Sequence, residues 1–137
     1  PELNLSKGNY SKHKPDIKDK VDINNAVKAL NKLNQYNHVQ GAISRNNNII
    51  LEKKDGTKTM LKKIKKINNS NNGVLVKFPK QKQDSRVDLP TVGLNTFKQC
   101  KAAGLKGIVV KNKQHVFLDQ KKCISYANKN KMFISVK

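Results

Sequence analysis

Gln83 to Gly93 reads QDSRVDLPTVG, and within it Asp84, Arg86 and Asp88 fall on alternate positions ahead of Pro90. Proline disfavours helical angles at the residue before it and Val87 prefers an extended backbone, so the spacing predicts a strand end or an extended loop. Side chains alternate in that conformation, which puts acid, base and acid on one side while Val87 and Leu89 grip the core from the other. Two neighbouring carboxylates are the oxygen donors a hard divalent cation such as Mg²⁺ takes while it also holds substrate phosphates. A carboxylate can equally orient or deprotonate an attacking water. Arg86 is one of only two arginines in a chain that otherwise carries its positive charge as lysine. A guanidinium fork gives a phosphate or carboxylate two parallel hydrogen bonds, which an ammonium cannot. The same alternation also builds a plain surface ion-pair ladder of little energetic worth; the local pattern leaves both readings open.

A second stretch with chemical potential is Asp55-Gly56-Thr57. Free amides at the start of a helix there would hold a phosphate oxygen, and a simple capped turn is the plainer reading. His13, His38 and His115 are scattered. Cys100 and Cys123 form no CxxC and have no histidine at metal-ligand spacing, so they read as core thiols in a reducing compartment rather than as a disulfide framework or zinc site.

The formal charge of +20 in 137 residues, from 29 Lys plus Arg against 9 Asp plus Glu, calls for an anionic partner. Nucleic acid, an acidic membrane face and a phosphorylated substrate all satisfy that demand. Lysines are spread over Lys12–Lys20, Lys53–Lys66 and Lys98–Lys113, which outlines no single groove. Aromatics make up only 5% of the chain and no RNP-like block or helix-turn-helix signal occurs, which disfavours nucleic acid. No run approaches the roughly 20 apolar residues of a membrane span, and the start lacks a hydrophobic signal stretch.

The elements that must position these groups follow from periodicity. Residues 1–21 read as an irregular leading segment, with structure beginning at Asp22 as the cap of a helix whose apolar face is Ile23, Ala26, Val27, Leu30 and Leu33. His38–Ser44 and Asn48–Glu52 predict a hairpin around Arg45-Asn46-Asn47. Asp55-Gly56-Thr57 opens a helix with Met60, Leu61, Ile64 and Ile67 on one side and lysines on the other. Gly73–Phe78 reads as a buried strand. Asn95 or Thr96 caps a helix that carries Phe97, Cys100 and Ala103 and stops at Gly104. Residues 107–110 and 115–118 predict paired strands around Lys111-Asn112-Lys113. Asp119 caps a last helix with Cys123, Ile124 and Ala127, and MFISV closes as a strand. Interleaved strands and helices with a hairpin predict one α/β domain with a mixed sheet, spanning residues 22–137.

QDSRVDLPTVGLNT followed by AAGLKGIVV resembles the C-terminal domain of the LpxI family of UDP-2,3-diacylglucosamine pyrophosphatases. That family has an E-x-x-E-G-T-D-A-M segment, a G-V-L-x-K strand, a Q-[DE]-x-R-x-D-x-P-x-[IV]-G stretch and a helix ending in A-G-x-x-G-I. Here Glu52–Met60, Gly73–Lys77, Gln83–Gly93 and Ala102–Ile108 match them. Gln40 matches the glutamine of an upstream D-x-G-Q. The acids of D-x-G-Q and G-T-D are replaced by Asn37 and Lys58.

The resemblance implies a cytoplasmic enzyme at the inner-membrane surface of a Gram-negative bacterium. In lipid A synthesis it would hydrolyse the pyrophosphate of UDP-2,3-diacylglucosamine to UMP and 2,3-diacylglucosamine 1-phosphate with Mg²⁺ or Mn²⁺. Its partners would include the acidic inner leaflet and an N-terminal nucleotide-fold domain that these residues do not resemble. By motif position it implies catalysis by Asp88 and Arg86, metal binding by Asp88 and Asp84, and substrate binding by Gln40, Asp55, Gly56, Thr57, Lys77, Gln83, Thr91 and Gly93. A small basic domain that binds nucleic acid or docks on a membrane without catalysis is the alternative reading.

Overall fold

Val74-Leu75-Val76-Lys77 continues an apolar run on successive positions, the pattern of a strand covered on both faces, and in the computed structural model all four residues are buried. The structure describes residues 6–33, 39–65, 71–78, 91–112 and 116–137. In chain order the elements are β1 (Gly8–Asn9), α1 (Ile17–Asn31), β2 (Gly41–Arg45), β3 (Asn48–Leu51), α2 (Gly56–Lys62) and β4 (Val74–Lys77). They continue with β5 (Thr91–Val92), α3 (Leu94–Ala102), β6 (Gly107–Val110), β7 (Val116–Phe117), α4 (Gln120–Lys129) and β8 (Phe133–Val136). The main sheet runs β1-β8-β6-β4-β2-β3. Its centre, β4-β6-β8, is parallel, and β1, β2 and β3 join antiparallel, giving the mixed sheet expected of the α/β class.

Period-two alternation splits the core into two layers. Ala42, Val74, Val76, Val109 and Phe133 face α1, where Ile23, Ala26 and Leu30 cover them. Ile43, Leu75, Ile108, Val110 and Ile134 face the opposite way, against Met60 and Leu61 of α2, Phe97 and Cys100 of α3, and Cys123 and Ala127 of α4. Both thiols are therefore core residues, and burial pushes Cys123 up to about 11 and Cys100 further still. The predicted hairpin is present as β2-β3, closed by Asn46 and Asn47, both at positive φ (51° and 66°). A two-residue primed turn needs that conformation, and asparagine tolerates it.

Three expectations are corrected. The first helix starts at Ile17, capped by Asp16, whose carboxylate accepts from Asp19 N at 2.8 Å while Asp19 Oδ2 accepts from Asp16 N at 3.0 Å. Asp22 lies inside that helix, 2% exposed and bonded to Lys18 at 2.9 Å. The apolar face begins only at Ile23, because Ile17 and Val21 point to solvent, so periodicity hid the first turns. Likewise α3 starts at Leu94 after Gly93, with Thr96 Oγ1 accepting from Gly93 N at 3.4 Å instead of capping the helix itself. Finally, β6 and β7 do not pair with each other. Both edges of β6 are occupied, by β4 and β8, and β7 instead pairs in parallel with β5 in a separate two-stranded sheet.

One end of the sheet is tied by charge. Arg45 donates to the carbonyls of Lys65, Asn72 and Ala103 at 2.8–2.9 Å, so one of the two arginines spends its fork on the backbone that leads into β4 and out of α3. Nearby, Lys106 reaches Asp19 at 3.0 Å and Asp16 at 3.1 Å, pinning the start of α1 to the start of β6. At the same end Gly107 lies beneath the ring of Phe133, where an added Cβ would come within 2.5 Å of ring carbons.

Two predictions follow from these contacts. Gly107→Ala is expected to destabilise the fold by about 1–3 kcal/mol through overpacking, measured by urea denaturation; an unchanged midpoint would contradict the packing described. The second concerns acid. The backbone N–H of Asp19, then the Lys106 ammonium, hold the Asp16 carboxyl down at about 2 from an ordinary 3.8. Because the unfolded chain takes up this proton first, the contribution is present above about pH 4 and is lost as pH falls toward about 2. Asp16→Asn should flatten the dependence of thermal midpoint on pH in that window.

Candidate active site

In open sheets with parallel strands, ligands bind outside the carboxyl ends of those strands. Lys77 is the last residue of β4 and alternation turns it inward, on the face shared by Leu75 and α3. It is 6% exposed. Its Nζ donates to Glu52 Oε1 at 3.1 Å and to Thr57 Oγ1 at 2.5 Å. The Thr57 hydroxyl in turn donates to Glu52 Oε1. Glu52, 8% exposed, sits just past the end of β3. Its other oxygen accepts from the backbone N–H of Gln40 at 3.3 Å, and its own N–H donates to Gly41 O at 2.9 Å.

The register explains how three separated residues meet. Gly41 is the partner of Lys77 across β2-β4, and a Cβ there would stand 3.0 Å from Lys77 Cδ. Glycine therefore leaves the channel through which the lysine stem crosses β2 toward Glu52. Glu52 and Thr57 bracket the turn from β3 into α2, so folding that turn delivers carboxylate and hydroxyl together. The trio is neutral as a set, with one ammonium against one carboxylate. The hydroxyl accepts from the first and donates to the second. Of the three ammonium protons, Glu52 and Thr57 use two among the described residues.

The predicted site residues fall into three groups. Gln40, Thr57 and Lys77 come together around Glu52. Asp55 and Gly56 lie at the start of α2, but the Asp55 side chain makes no cap bond and stands 3.8 Å from Lys63 on the surface. The Gly56 N–H donates to Lys53 O at 2.9 Å. Thr91 begins β5, exposed, and Gly93 is the residue from which α3 starts. Leu118 N donates to Val92 O at 2.8 Å, joining the segments that lead into α3 and α4 beyond the carboxyl ends of β4 and β6. Gln83, Asp84, Arg86 and Asp88 lie outside the described residues, within the 79–90 segment that joins Phe78 to Thr91. Among the described residues no group of three or more His, Cys, Asp or Glu is placed to hold a metal ion.

Glu52 is the residue that sequence reasoning passed over. The signal available for it was Lys77 itself: a lysine in a strand of buried character requires a carboxylate, and the chain has only 9 acids to supply one.

A buried ion pair broken on one side leaves an uncompensated charge, which typically costs about 3–5 kcal/mol, whereas replacing both partners by apolar groups is often neutral. Lys77→Met is accordingly expected to lower stability by about that amount, and adding Glu52→Met should restore most of it. Additive losses in this double-mutant cycle would show that the two groups are not coupled.

Comparison with known proteins identifies the family of the chain. The profile of the LpxI C-terminal domain matches residues 6–135. A protein of Caulobacter vibrioides, UDP-2,3-diacylglucosamine pyrophosphatase LpxI, is 29% identical over 141 aligned positions that cover 97% of this chain and 50% of the relative. The chain thus spans about half the length of the curated relative it matches. The match runs from the strand Gly8–Asn9 into β8 and takes in the Glu52–Thr57 turn, Lys77 and the 83–93 stretch. This chain belongs to the LpxI C-terminal domain family.

Proposed function

We propose that this domain carries the hydrolytic groups of a UDP-2,3-diacylglucosamine pyrophosphatase acting in lipid A biosynthesis. The observation that carries this reading is the family match over residues 6–135, with a buried lysine–carboxylate–hydroxyl trio placed where a parallel sheet offers its ligand crevice.

In the proposed reaction, water oxygen bonds to one phosphorus of the diphosphate as that phosphorus parts from the bridging oxygen. The products are UMP and 2,3-diacylglucosamine 1-phosphate. Asp88 takes the water proton and fixes the angle of attack. Arg86 spans two oxygens of the diphosphate with its fork, and Lys77 offsets charge that grows on a non-bridging oxygen. Gln40, Asp55, Gly56, Thr57, Gln83, Thr91 and Gly93 line the approach of the substrate. Asp84 and Asp88 are the oxygen donors that would hold Mg²⁺ or Mn²⁺, which when bound supplies further neutralisation of phosphoryl charge.

The remaining half of a full-length protein would bind the nucleotide end. The lysine-rich exterior would rest on the acidic inner leaflet from the cytoplasmic side, at about 1 kcal/mol per lysine near such a surface. Among the described residues no helix is long and apolar enough to cross a membrane, so contact with lipid by this domain is drawn as peripheral.

The test is release of UMP from UDP-2,3-diacylglucosamine by the full-length protein with Mg²⁺ or Mn²⁺. Asp88→Ala is expected to abolish it, a loss of at least about 100-fold for an essential proton acceptor. Unchanged release in the variant would remove Asp88 from the mechanism, and no release by the unaltered protein would end the hydrolase reading.

A further inference from the structure

Three features of the described residues hold groups to which no role has yet been given. A pocket of about 170 Å³ lies between β3 and α2, lined by Ile50, Leu51, Met60 and Ile64 with Lys53 and Lys63 at its rim. Nothing in the structure identifies what would fill it. Asp19 has one buried carboxylate oxygen without a partner among the described residues, but Lys106 already neutralises that carboxylate and ties two elements together. The trio around Glu52 goes further, because its two fixed bonds leave one ammonium proton of Lys77 uncommitted among the described residues.

We infer that Glu52 is a positioning residue: together with Thr57 it holds the Lys77 ammonium in one orientation, so that the remaining N–H is presented to a non-bridging oxygen of a bound diphosphate. This inference rests on the diphosphate reading above and adds to it a role for a residue that itself touches no substrate. Four observations support it. Lysine has four rotatable bonds and much rotamer freedom to lose, yet here the stem is confined between Gly41 and the core and the head is bonded twice. The carboxylate is itself held, by the Gln40 amide on one oxygen and the Thr57 hydroxyl on the other. Burial of the pair is a poor way to gain stability, so the arrangement is more economically explained by orientation than by folding. And the pair stands at the last residue of a parallel strand, the end from which residues 79–90 lead away, and not at the opposite end, where Lys106 and Arg45 perform the structural ties.

The measurement is isothermal titration of the full-length protein with inorganic pyrophosphate in magnesium buffer, alongside UMP release. Glu52→Gln keeps the shape and removes the charge. It is expected to weaken pyrophosphate binding about 10-fold and to lower kcat/KM about 30-fold, the scale of one misdirected charged hydrogen bond. Thr57→Val removes only the hydroxyl and should weaken pyrophosphate binding about 5-fold, so a Glu52→Gln protein that fails to fold leaves the idea testable. A structural role alone would change the fraction of competent protein, seen as stoichiometry, and leave Kd where it was. An unchanged Kd in the folded variants, or no pyrophosphate binding by the unaltered protein, overturns the inference. Failure of the unaltered protein to release UMP while Glu52→Gln still weakens pyrophosphate binding would instead overturn the substrate reading and leave the positioning role standing.

Discussion

The arrangement of the molecule depends on a sheet that is covered on both faces. Once α1 takes one side and α2, α3 and α4 the other, every residue of β4 and β6 is buried regardless of its chemistry. For Val74, Leu75 and Val76 this is favourable, at about 1.5–3 kcal/mol for each large apolar side chain removed from water. Lys77 is drawn in by the same constraint. Its ammonium, once inside, demands a counter-charge and further hydrogen bonds, and the turn after β3 supplies both from Glu52 and Thr57.

The two ends of the sheet use polar groups differently. At the end where β4 and β6 begin, Arg45 caps carbonyls and Lys106 bridges Asp16 and Asp19. These bonds close distances between elements, with Lys106 held between two carboxylates of α1 and its cap and Arg45 bonded to three backbone carbonyls. At the carboxyl end, the lysine is held at a point from which chain segments diverge toward α3 and α4. In parallel sheets strain and chemistry concentrate at that end because loops there are free to vary while the strands beneath stay packed. The small β5-β7 sheet, with Leu118 N bonded to Val92 O, gives those diverging segments a shared anchor.

Much of the fold was legible from local pattern. The hairpin read over His38–Ser44 and Asn48–Glu52, the buried strand read over Gly73–Phe78, and the apolar faces Ile23/Ala26/Leu30 and Phe97/Cys100 all carry strong periodicity, and each is found, with strands at Gly41–Arg45, Asn48–Leu51 and Val74–Lys77. What was misread shares a physical cause. In the first turns of α1 the apolar Ile17 and Val21 point to solvent while the buried positions are Asp19 and Asp22, so the only signal there was the capping box of Asp16 and Asp19. Strands β1 and β5 are each two residues long, too short for any alternation, and β7, read within 115–118, was given the wrong partner. The pairing of β6 could not be read from its neighbours in the chain, since parallel strands find partners across helical crossovers.

For the candidate site the division is similar. Residue types and spacing alone singled out the Asp84-Arg86-Asp88 alternation and the Asp55-Gly56-Thr57 turn as candidates for chemistry, and the resemblance added Lys77. They also determined the α/β class and the family. Only the tertiary structure decided that Lys77 points inward, that Gly41 makes room for its stem, and that Glu52 meets it with Thr57 between them. Those facts depend on register between strands and on which face each helix covers, and these are settled by packing across long separations in sequence, which no local pattern of residues encodes.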